Sequence, residues 1–285
     1  MVSSKAELQI HSYLERVTRG DASMSDDTIE MVVSHIRESL KKQFKKTKEK
    51  EDFRLRMSNI GRPYCQLWFE KNKPEARVKP PTKFVMNMMF GDIIEAIFKG
   101  ILTEAKVKYQ DSEEVTLSLD KDNIKGTYDL VVDGAVDDIK SASTWSYTNK
   151  FQSFDTVKAS DPYGYIGQLA GYAKASNKKV GGWWVINKNN ADFKYISAED
   201  LDIEKEVLKL KSITKRLKEN KFERCFEPEQ ETFRGKSTGN MVLNKNCTFC
   251  NFRYECWSTL TERPAVMSKA REPKMTAYVE LKEGA

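Results

Sequence analysis

The sequence lacks several features that define special classes of protein. No apolar run approaches the ~20 residues that a transmembrane helix needs, and charged residues make up 32% of the chain, so we expect no membrane protein. The opening stretch, MVSSKAELQIHSYLERV, is polar and amphipathic and has no apolar segment of the signal-peptide kind. No internal repeat is visible, which argues against a repeat architecture. We therefore predict a cytoplasmic protein in a reducing compartment.

An excess of one charge is also missing. The chain has 48 basic and 42 acidic residues, for a net charge of +6. This balance is compatible with a polyanionic partner, but it is weak evidence, because many proteins near it bind no nucleic acid. Hydrophobic residues form 39% of the 285 residues, which is enough for one large domain or for a domain with an appendage.

Strand and helix patterns alternate along the chain, with hairpins among them. This order predicts a mixed central sheet flanked by helices, in the α/β or α+β class. Composition and periodicity divide the chain into a helical N-terminal region (1–80), a sheet-bearing core (81–218), an irregular cysteine segment (219–260) and a mobile tail (261–285). Within these regions we predict helices at 82–106, 161–176 and 198–218, and hairpins around 133–134 and 189–190.

A lysine-rich stretch, KKQFKKTKEK, follows the second predicted helix. It includes Lys41, Lys42, Lys45 and Lys46. Such a run is most often a solvated helix face, and a surface that contacts phosphates is the alternative.

The dipeptide DG at 133–134 is the strongest hairpin signal in the sequence. With these two residues as the loop, Asp129 faces Asp138 across the strands, and Lys140 lies on the same face two residues later. Asp137 points the other way, so we expect its replacement by alanine to be nearly silent. Opposed carboxylates repel, and a divalent cation such as Mg²⁺ or Mn²⁺ between them removes the conflict. A solvent-facing acidic hairpin is the alternative.

Two predicted helices carry further candidates. Glu95 lies among Met, Ile and Phe residues, so it should be exposed, neutralised or bound to a cation, because an unpaired buried carboxylate is unfavourable. Gln168 and Tyr172 are four residues apart and therefore share one helix face, from which they can hold a phosphate or a catalytic lysine. An ordinary helix position is the alternative in each case.

These residues together resemble the PD-(D/E)xK nucleases. Glu95 in FGDIIEAIF looks like the helical acid of that family, and Asp129 in GTYD looks like its first strand carboxylate. The segment Asp138–Lys140 on the next strand looks like the D-x-K of that family. The combination, in this order and spacing, is far more specific than any one part.

A second motif points to particular branches of the family. Gln168 and Tyr172 in QLAGY look like the Q-x-x-x-Y motif of RecB-like and CRISPR-associated members, and the resemblance covers residues ~84–175. Many RecB-like members carry a histidine on the helical element, whereas His11 and His35 both lie upstream of it here. The phrases KSASTWSY and DPYGYIGQLAGYA look most like nucleases encoded by bacteriophages.

The resemblance implies a restriction-endonuclease-like core and Mg²⁺-dependent hydrolysis of DNA phosphodiester bonds. In the family pattern, Glu95, Asp129 and Asp138 would hold Mg²⁺ or Mn²⁺ with the carbonyl of Ile139, and Lys140 would position the attacking water.

An exonuclease acting on single- or double-stranded DNA is the function expected first. A structure-specific or nicking endonuclease and a non-catalytic DNA-binding recombination partner are the alternatives. Replication or recombination proteins are candidate partners, and a phage-encoded protein would act in the cytoplasm of the host cell.

Five cysteines are an odd number, and three of them are close together. Cys247, Cys250 and Cys256 form C-x₂-C-x₅-C, and three thiolates within ten residues are a strong metal signal. The fourth ligand must come from elsewhere, either from Cys65 or from Cys225. Four thiolates suit zinc as well as an iron–sulfur cluster.

The phrase SNIGRPYCQLWFEKN around Cys65 resembles the N-terminal cysteine motif of iron–sulfur RecB-like nucleases. The resemblance therefore implies a [4Fe–4S] cluster held by Cys65 and the C-terminal trio, with zinc as the alternative. Such a crosslink closes a loop of more than 180 residues, from 65 to 247. In the chain-entropy model it restricts the unfolded chain by roughly 5 kcal/mol, so we expect a structural role.

Overall fold

The computed structural model describes residues 4–45, 52–265, 271, 273 and 275–282. A mixed five-stranded sheet flanked by helices confirms the predicted fold class. The described helices are α1 (Lys5–Thr18), α2 (Asp26–Gln43), α3 (Met57–Ile60), α4 (Tyr64–Asn72), α5 (Lys83–Glu104), α6 (Phe154–Ala159), α7 (Tyr165–Ser176), α8 (Ile203–Glu219) and α9 (Arg253–Cys256). The described strands are β1 (Tyr109–Leu119), β2 (Asp122–Val132), β3 (Ala135–Ala142), β4 (Lys179–Asn187), β5 (Phe193–Ser197), β6 (Glu229–Phe233), β7 (Lys236–Val242), β8 (Thr261–Pro264) and β9 (Met275–Glu280).

The central sheet has the strand order β1-β2-β3-β4-β5, and only the β3–β4 pair in it is parallel. The parallel pair needs a crossover connection, which contains α6 and α7. The β2–β3 hairpin turns at Asp133 and Gly134, both in the left-handed region with φ of 50° and 79°, as a two-residue hairpin turn requires. Its predicted register is confirmed, since Val132 pairs with Ala135.

Strand β4 has no polar side chain from Val180 to Ile186, because both faces of the sheet are covered. On one face Trp183 packs in a cluster with Met57 of α3 and Leu169 of α7. On the other face Trp184 packs in a cluster with Ile10 of α1 and residues of α5 such as Phe98. The sheet therefore lies between two helical layers, and α5 and α7 approach it from opposite sides.

Helix starts follow the capping chemistry of the sequence, with one difference. The side chain of Ser25 accepts from the N–H of Thr28 and caps α2. Helix α7 begins at Tyr165 and not at position 161, because Gly164 has a φ of 76° that interrupts the helix. Asp161 still caps it, since its carboxylate accepts from the backbone N–H groups of Tyr165 and Ile166.

Helix α5 is apolar on several sides, but its first half is exposed. The large apolar side chains that stay exposed are Phe84, Met86, Met88 and Phe90. The second half is buried because α2 packs on it: a Cβ placed on Gly100 would lie 2.6 Å from a Val32 methyl group. Apolar composition alone did not distinguish the packed half from the exposed half.

The C-terminal segments form a second sheet with the strand order β6-β7-β9-β8. A mobile tail over 261–285 was predicted, whereas β8 and β9 of this stretch pair with each other and β9 pairs with β7. Tyr278 of β9 is buried and its hydroxyl donates to Glu231 at 2.7 Å, which fixes the segment. None of the described helices is long and apolar enough to cross a membrane.

Candidate active site

Asp129 and Asp138 lie where β2 and β3 separate. The backbone ladder ends at the pair Leu130–Asp137, and beyond it the N–H of Ile139 donates to the carboxylate of Asp129 at 2.7 Å. The side chain of Asp138 is buried, and Asp129 is partly buried. Burial and the negative charge of Asp138 raise the pKa of Asp129 to about 7, so the two carboxylates oppose each other's ionisation.

Lys140 neutralises this pair from the same strand. Its Nζ lies 2.5 Å from Oδ2 of Asp138. Burial disfavours the ammonium, but Asp138 and Asp129 together raise the pKa of Lys140 above its ordinary value, so it stays protonated. Oδ2 of Asp138 is buried and accepts no well-directed hydrogen bond among the described residues. The contact with Lys140 is therefore an ion pair, and this oxygen has lone pairs left for a cation.

Glu95 reaches the acids from α5. Its Oε1 lies 3.0 Å from Nζ of Lys99 one helical turn later, and that ammonium also lies 2.9 Å from Oδ1 of Asp111. Glu95 was expected to be exposed, neutralised or cation-bound, and Lys99 neutralises it. Burial and the charge of Asp129 raise the pKa of Glu95. Sequence reasoning missed Lys99, although its i, i+4 spacing from Glu95 was a usable signal.

The donor set of this site suits a divalent cation. Carboxylate oxygens are the ligands that Mg²⁺ and Mn²⁺ prefer, and the unsatisfied oxygen of Asp138 fits that role. Among the described residues, no group of three or more His, Cys, Asp or Glu side chains already has the spacing of a formed metal site. Lys99 forms an ion pair with Glu95, and Lys140 forms one with Asp138.

Gln168 and Tyr172 share one face of α7, as predicted. The amide of Gln168 donates to the hydroxyl of Tyr172 at 3.3 Å. Tyr172 is buried and its ring packs edge-on against Tyr128 of β2. Burial, with smaller effects from the charges of Asp138 and Asp129, raises the pKa of Tyr172. Tyr172 therefore lies in the core close enough to the acids to be affected by their charge, and Gln168 is half-buried beside it.

The lysine-rich stretch divides into two parts. Lys41 forms a solvent-exposed ion pair with Glu38 at 2.7 Å, and Lys45 is exposed. Lys46 lies outside the described residues. For Lys41 and Lys45 the solvated helix face is what the structure describes.

Lys42 has a different position. It lines a cleft of about 250 Å³ together with Glu95, Lys99 and His35, since α2 packs beside α5. Lys42 is exposed at this cleft, so the phosphate-contacting alternative stays a prediction for this lysine. His35, which is too far upstream to match the family's helical histidine in sequence, reaches the same cleft through the fold.

Lys150 and Tyr165 were not predicted as site residues. The ring of Tyr165 lies 5.2 Å from Nζ of Lys140 and 4.3 Å from Nζ of Lys150. Nζ of Lys150 is buried and has no hydrogen-bond partner among the described residues. Burial lowers the pKa of Lys150 to about 8. The aromatic phrase DPYGYIG was the sequence signal here, but nothing in its spacing indicated which tyrosine approaches a lysine.

Asp137 corrects another expectation. It points away from Asp129, as the register predicted, but it is buried rather than solvent-facing. Its carboxylate accepts hydrogen bonds from the backbone N–H of Gly182 at 2.8 Å, the hydroxyl of Tyr195 at 2.8 Å and the indole N–H of Trp184 at 3.0 Å. Replacement by alanine is therefore not silent for stability, because three buried donors would lose their acceptor. That it leaves cleavage by the folded protein nearly unchanged stays a prediction.

The cysteines converge from three parts of the chain. The backbone N–H of Cys65, on α4, donates to the sulfur of Cys225 at 3.0 Å. Cys65 also interacts electrostatically with Cys250, and Cys225 does so with Cys247 and Cys256. Both candidates for the fourth ligand therefore lie near the C-terminal trio, although no three of the described cysteines have the spacing of a formed metal site.

The electrostatics of these thiols suit a bound cation. Burial raises the pKa of Cys247 to about 12, and it also raises the pKa of Cys250 and of Cys256. Ionising several of these thiols together is unfavourable unless a positive charge lies among them. Thiolate ligands of this number fit zinc or an iron–sulfur cluster.

Two glycines bring the Cys65 region against α7. A Cβ on Gly164 would lie 2.2 Å from the carbonyl carbon of Gly61, and the φ of 76° at Gly164 also favours glycine. This backbone contact places the turn that precedes α4 against the start of α7.

Comparison with known proteins adds little. Neither a family model nor a curated protein matches the chain. Among solved structures, the crystal structure of SSO0001 is similar, with a TM-score of 0.44 and 15% identity over 81% of this chain and 98% of that chain. A similarity of this degree supports no inference about function.

Proposed function

We propose that the protein is a metal-dependent DNA nuclease of the PD-(D/E)xK type. Of the possible activities, we favour that of an exonuclease. The observation that carries the proposal is the shared face of Asp129, Asp138 and Lys140 at the open end of the hairpin, with Glu95 beside it. Sheet stability does not explain this arrangement, because it buries and crowds carboxylates, and burial together with the charge of Asp138 raises the pKa of Asp129.

A bound Mg²⁺ or Mn²⁺ would neutralise charge that develops on the phosphate and make a bound water more acidic. Glu95, Asp129 and Asp138 would hold it, with the carbonyl of Ile139. Lys140, kept as an ammonium by its neighbours, donates hydrogen bonds to the attacking water and to the phosphate oxygen.

Incubation of anaerobically purified protein with DNA tests the proposal. We expect release of label from end-labelled linear DNA in Mg²⁺ and no release in EDTA. Cutting of circular DNA at a comparable rate would favour the endonuclease alternative. Intact linear and circular DNA in both Mg²⁺ and Mn²⁺ would contradict the nuclease assignment and favour a non-catalytic DNA-binding role.

Lys140→Ala should separate catalysis from metal binding. We expect turnover to fall by about 10²–10³-fold, the usual effect of removing one preorganised donor, while Mn²⁺ affinity changes little, because an ammonium does not ligate a cation. Asp129→Ala should weaken Mn²⁺ binding. Lys125→Ala is the control, since Lys125 is an exposed lysine of β2 paired with Glu114. Loss of Mn²⁺ in Lys140→Ala with retention in Asp129→Ala would reverse the assigned roles.

We also propose that Cys65, Cys247, Cys250 and Cys256 hold a structural [4Fe–4S] cluster, with zinc as the alternative metal. The isolated protein should then be brown and contain about four irons per chain. Replacing any of these four residues by alanine should bleach the protein and lower its melting temperature.

Cys225→Ala decides between the two candidates for the fourth ligand. It should keep its iron, because we assign that position to Cys65. Bleaching by Cys225→Ala but not by Cys65→Ala would make Cys225 the ligand and remove the staple to the N-terminal region. A colourless protein with one zinc would keep the staple and remove the iron.

A further inference from the structure

Four aromatic rings form a nearly parallel row between the cysteine segment and Lys140. Successive centroids are 6.4 Å apart from Phe249 to Tyr163, 5.6 Å from Tyr163 to Tyr165 and 5.9 Å from Tyr165 to Phe151, with interplanar angles of 27°, 22° and 23°. Phe249 is 64% exposed and Tyr163 is 41% exposed, whereas Phe151 is buried. The aromatic row therefore runs from the surface into the candidate active site.

Positive charges lie beside this aromatic row. Nζ of Lys150 lies 4.8 Å from the ring centroid of Tyr163 and 4.3 Å from that of Tyr165, where Lys140 also approaches. Arg62 acts electrostatically on Tyr163 and lines a cavity of about 690 Å³. Stacking rings flanked by cations match a single-stranded nucleic acid, which offers flat bases and phosphates together.

An ordinary core explains only the inner end of the row. Tyr165 and Phe151 pack against buried residues, but Phe249 lies in the loop between Cys247 and Cys250 and leaves most of its ring in water. A base inserted between two rings needs roughly 7 Å, twice the contact distance of aromatic carbon atoms. The 6.4 Å between Phe249 and Tyr163 is a distance between ring centroids and not the gap between the ring planes, so a base enters by displacing the Phe249 ring, which is mostly exposed.

We propose that Phe249 and Tyr163 form a stacking site for unpaired bases, and that Lys150 holds the adjoining phosphate on the way to Lys140. The inference rests on the proposed nuclease function and narrows its substrate to a strand with an unpaired end. It also gives the cysteine segment a second role. The metal that orders the C-x₂-C loop would orient Phe249, so the segment takes part in substrate binding as well as in stability.

Affinity for DNA, measured by fluorescence anisotropy in EDTA so that no cleavage occurs, tests this site. Phe249→Ala and Tyr163→Ala should each weaken binding of a labelled single-stranded oligonucleotide by about tenfold or more, and Phe249→Trp should bind like wild type. Tyr254→Ala is the matched control, because Tyr254 is an exposed aromatic residue of the same segment outside the aromatic row. Tyr163 lies outside the cysteine segment, so Tyr163→Ala remains informative if Phe249→Ala loses its metal.

An oligonucleotide of the same length with abasic sites separates bases from phosphates. Wild type should bind it about tenfold more weakly, and Phe249→Ala should bind it no worse than wild type does. Equal affinity of wild type for both oligonucleotides, or an equal loss with blunt duplex DNA in the variants, would overturn the stacking site. If these differences in binding are found but wild type does not cleave DNA in Mg²⁺, the nuclease function is overturned and the stacking site is retained.

Discussion

Asp138→Asn should abolish Mg²⁺-dependent cleavage, with a fall of about a thousandfold or more, while the protein stays folded. Asparagine keeps the shape of the side chain but removes the charge and one of the two oxygens that a cation needs. Asp138 is 2% exposed, so water cannot replace the lost ligand, and Lys140 retains Asp129 as a partner. Cleavage of end-labelled DNA and the melting temperature are the measurements.

Asp133→Asn is the matched control for this substitution. Asp133 is exposed at the tip of the same hairpin, with a φ of 50°, a conformation that asparagine tolerates. Its activity and melting temperature should equal those of wild type. Cleavage by Asp138→Asn within tenfold of wild type would mean that this carboxylate holds no catalytic metal.

Asp137→Ala should lower the free energy of unfolding by about 3–5 kcal/mol, because it strands three buried donors. It should reduce activity only in proportion to the folded fraction. Asp137→Asn should lower the free energy of unfolding by less. Its remaining oxygen still accepts from Gly182 and Tyr195, and only the indole N–H of Trp184 loses its acceptor, because it faces the amide N–H₂ group. Urea unfolding monitored by tryptophan fluorescence measures both. A fully stable Asp137→Ala would contradict the role of this carboxylate in joining β3 to β4 and β5.

The loss in Asp137→Ala should depend on pH. Burial raises the pKa of Asp137 to about 7 in the folded protein, above the ~3.9 of an unfolded aspartate. The stability that protonated Asp137 contributes is therefore fully present below about pH 4 and declines as the pH rises toward 7. The difference between wild type and Asp137→Ala should be larger at pH 5 than at pH 8.

Local rules predicted the hairpin site well. A two-residue turn sets the register of the strands that leave it, and alternation then assigns each residue to a face, so Asp129, Asp138 and Lys140 could be grouped from sequence. The shared face of Gln168 and Tyr172 follows equally from helical periodicity. Glu95 was identified by composition, but its partner Lys99 was overlooked.

Alternation could not predict what covers a face. Asp137 was placed on the correct side of β3, but its three donors come from β4 and β5, which lie more than 40 residues away in the chain. The second sheet was missed for the same reason, because short strands such as β8 and β9 are stable only when paired with each other and with β7.

The sequence by itself determined the fold class, the hairpin register and the faces on which the candidate site residues lie, because turns and periodicity act over a few residues. Tertiary structure alone decided that Cys65 and Cys225 both lie near the C-terminal trio, that Lys150 and Lys140 approach the same ring of Tyr165, and that Phe249 stacks on Tyr163. Those contacts join segments that are distant in the chain. They depend on the close backbone approach at Gly61 and Gly164 and on the packing of α7 against the sheet, which no local pattern specifies.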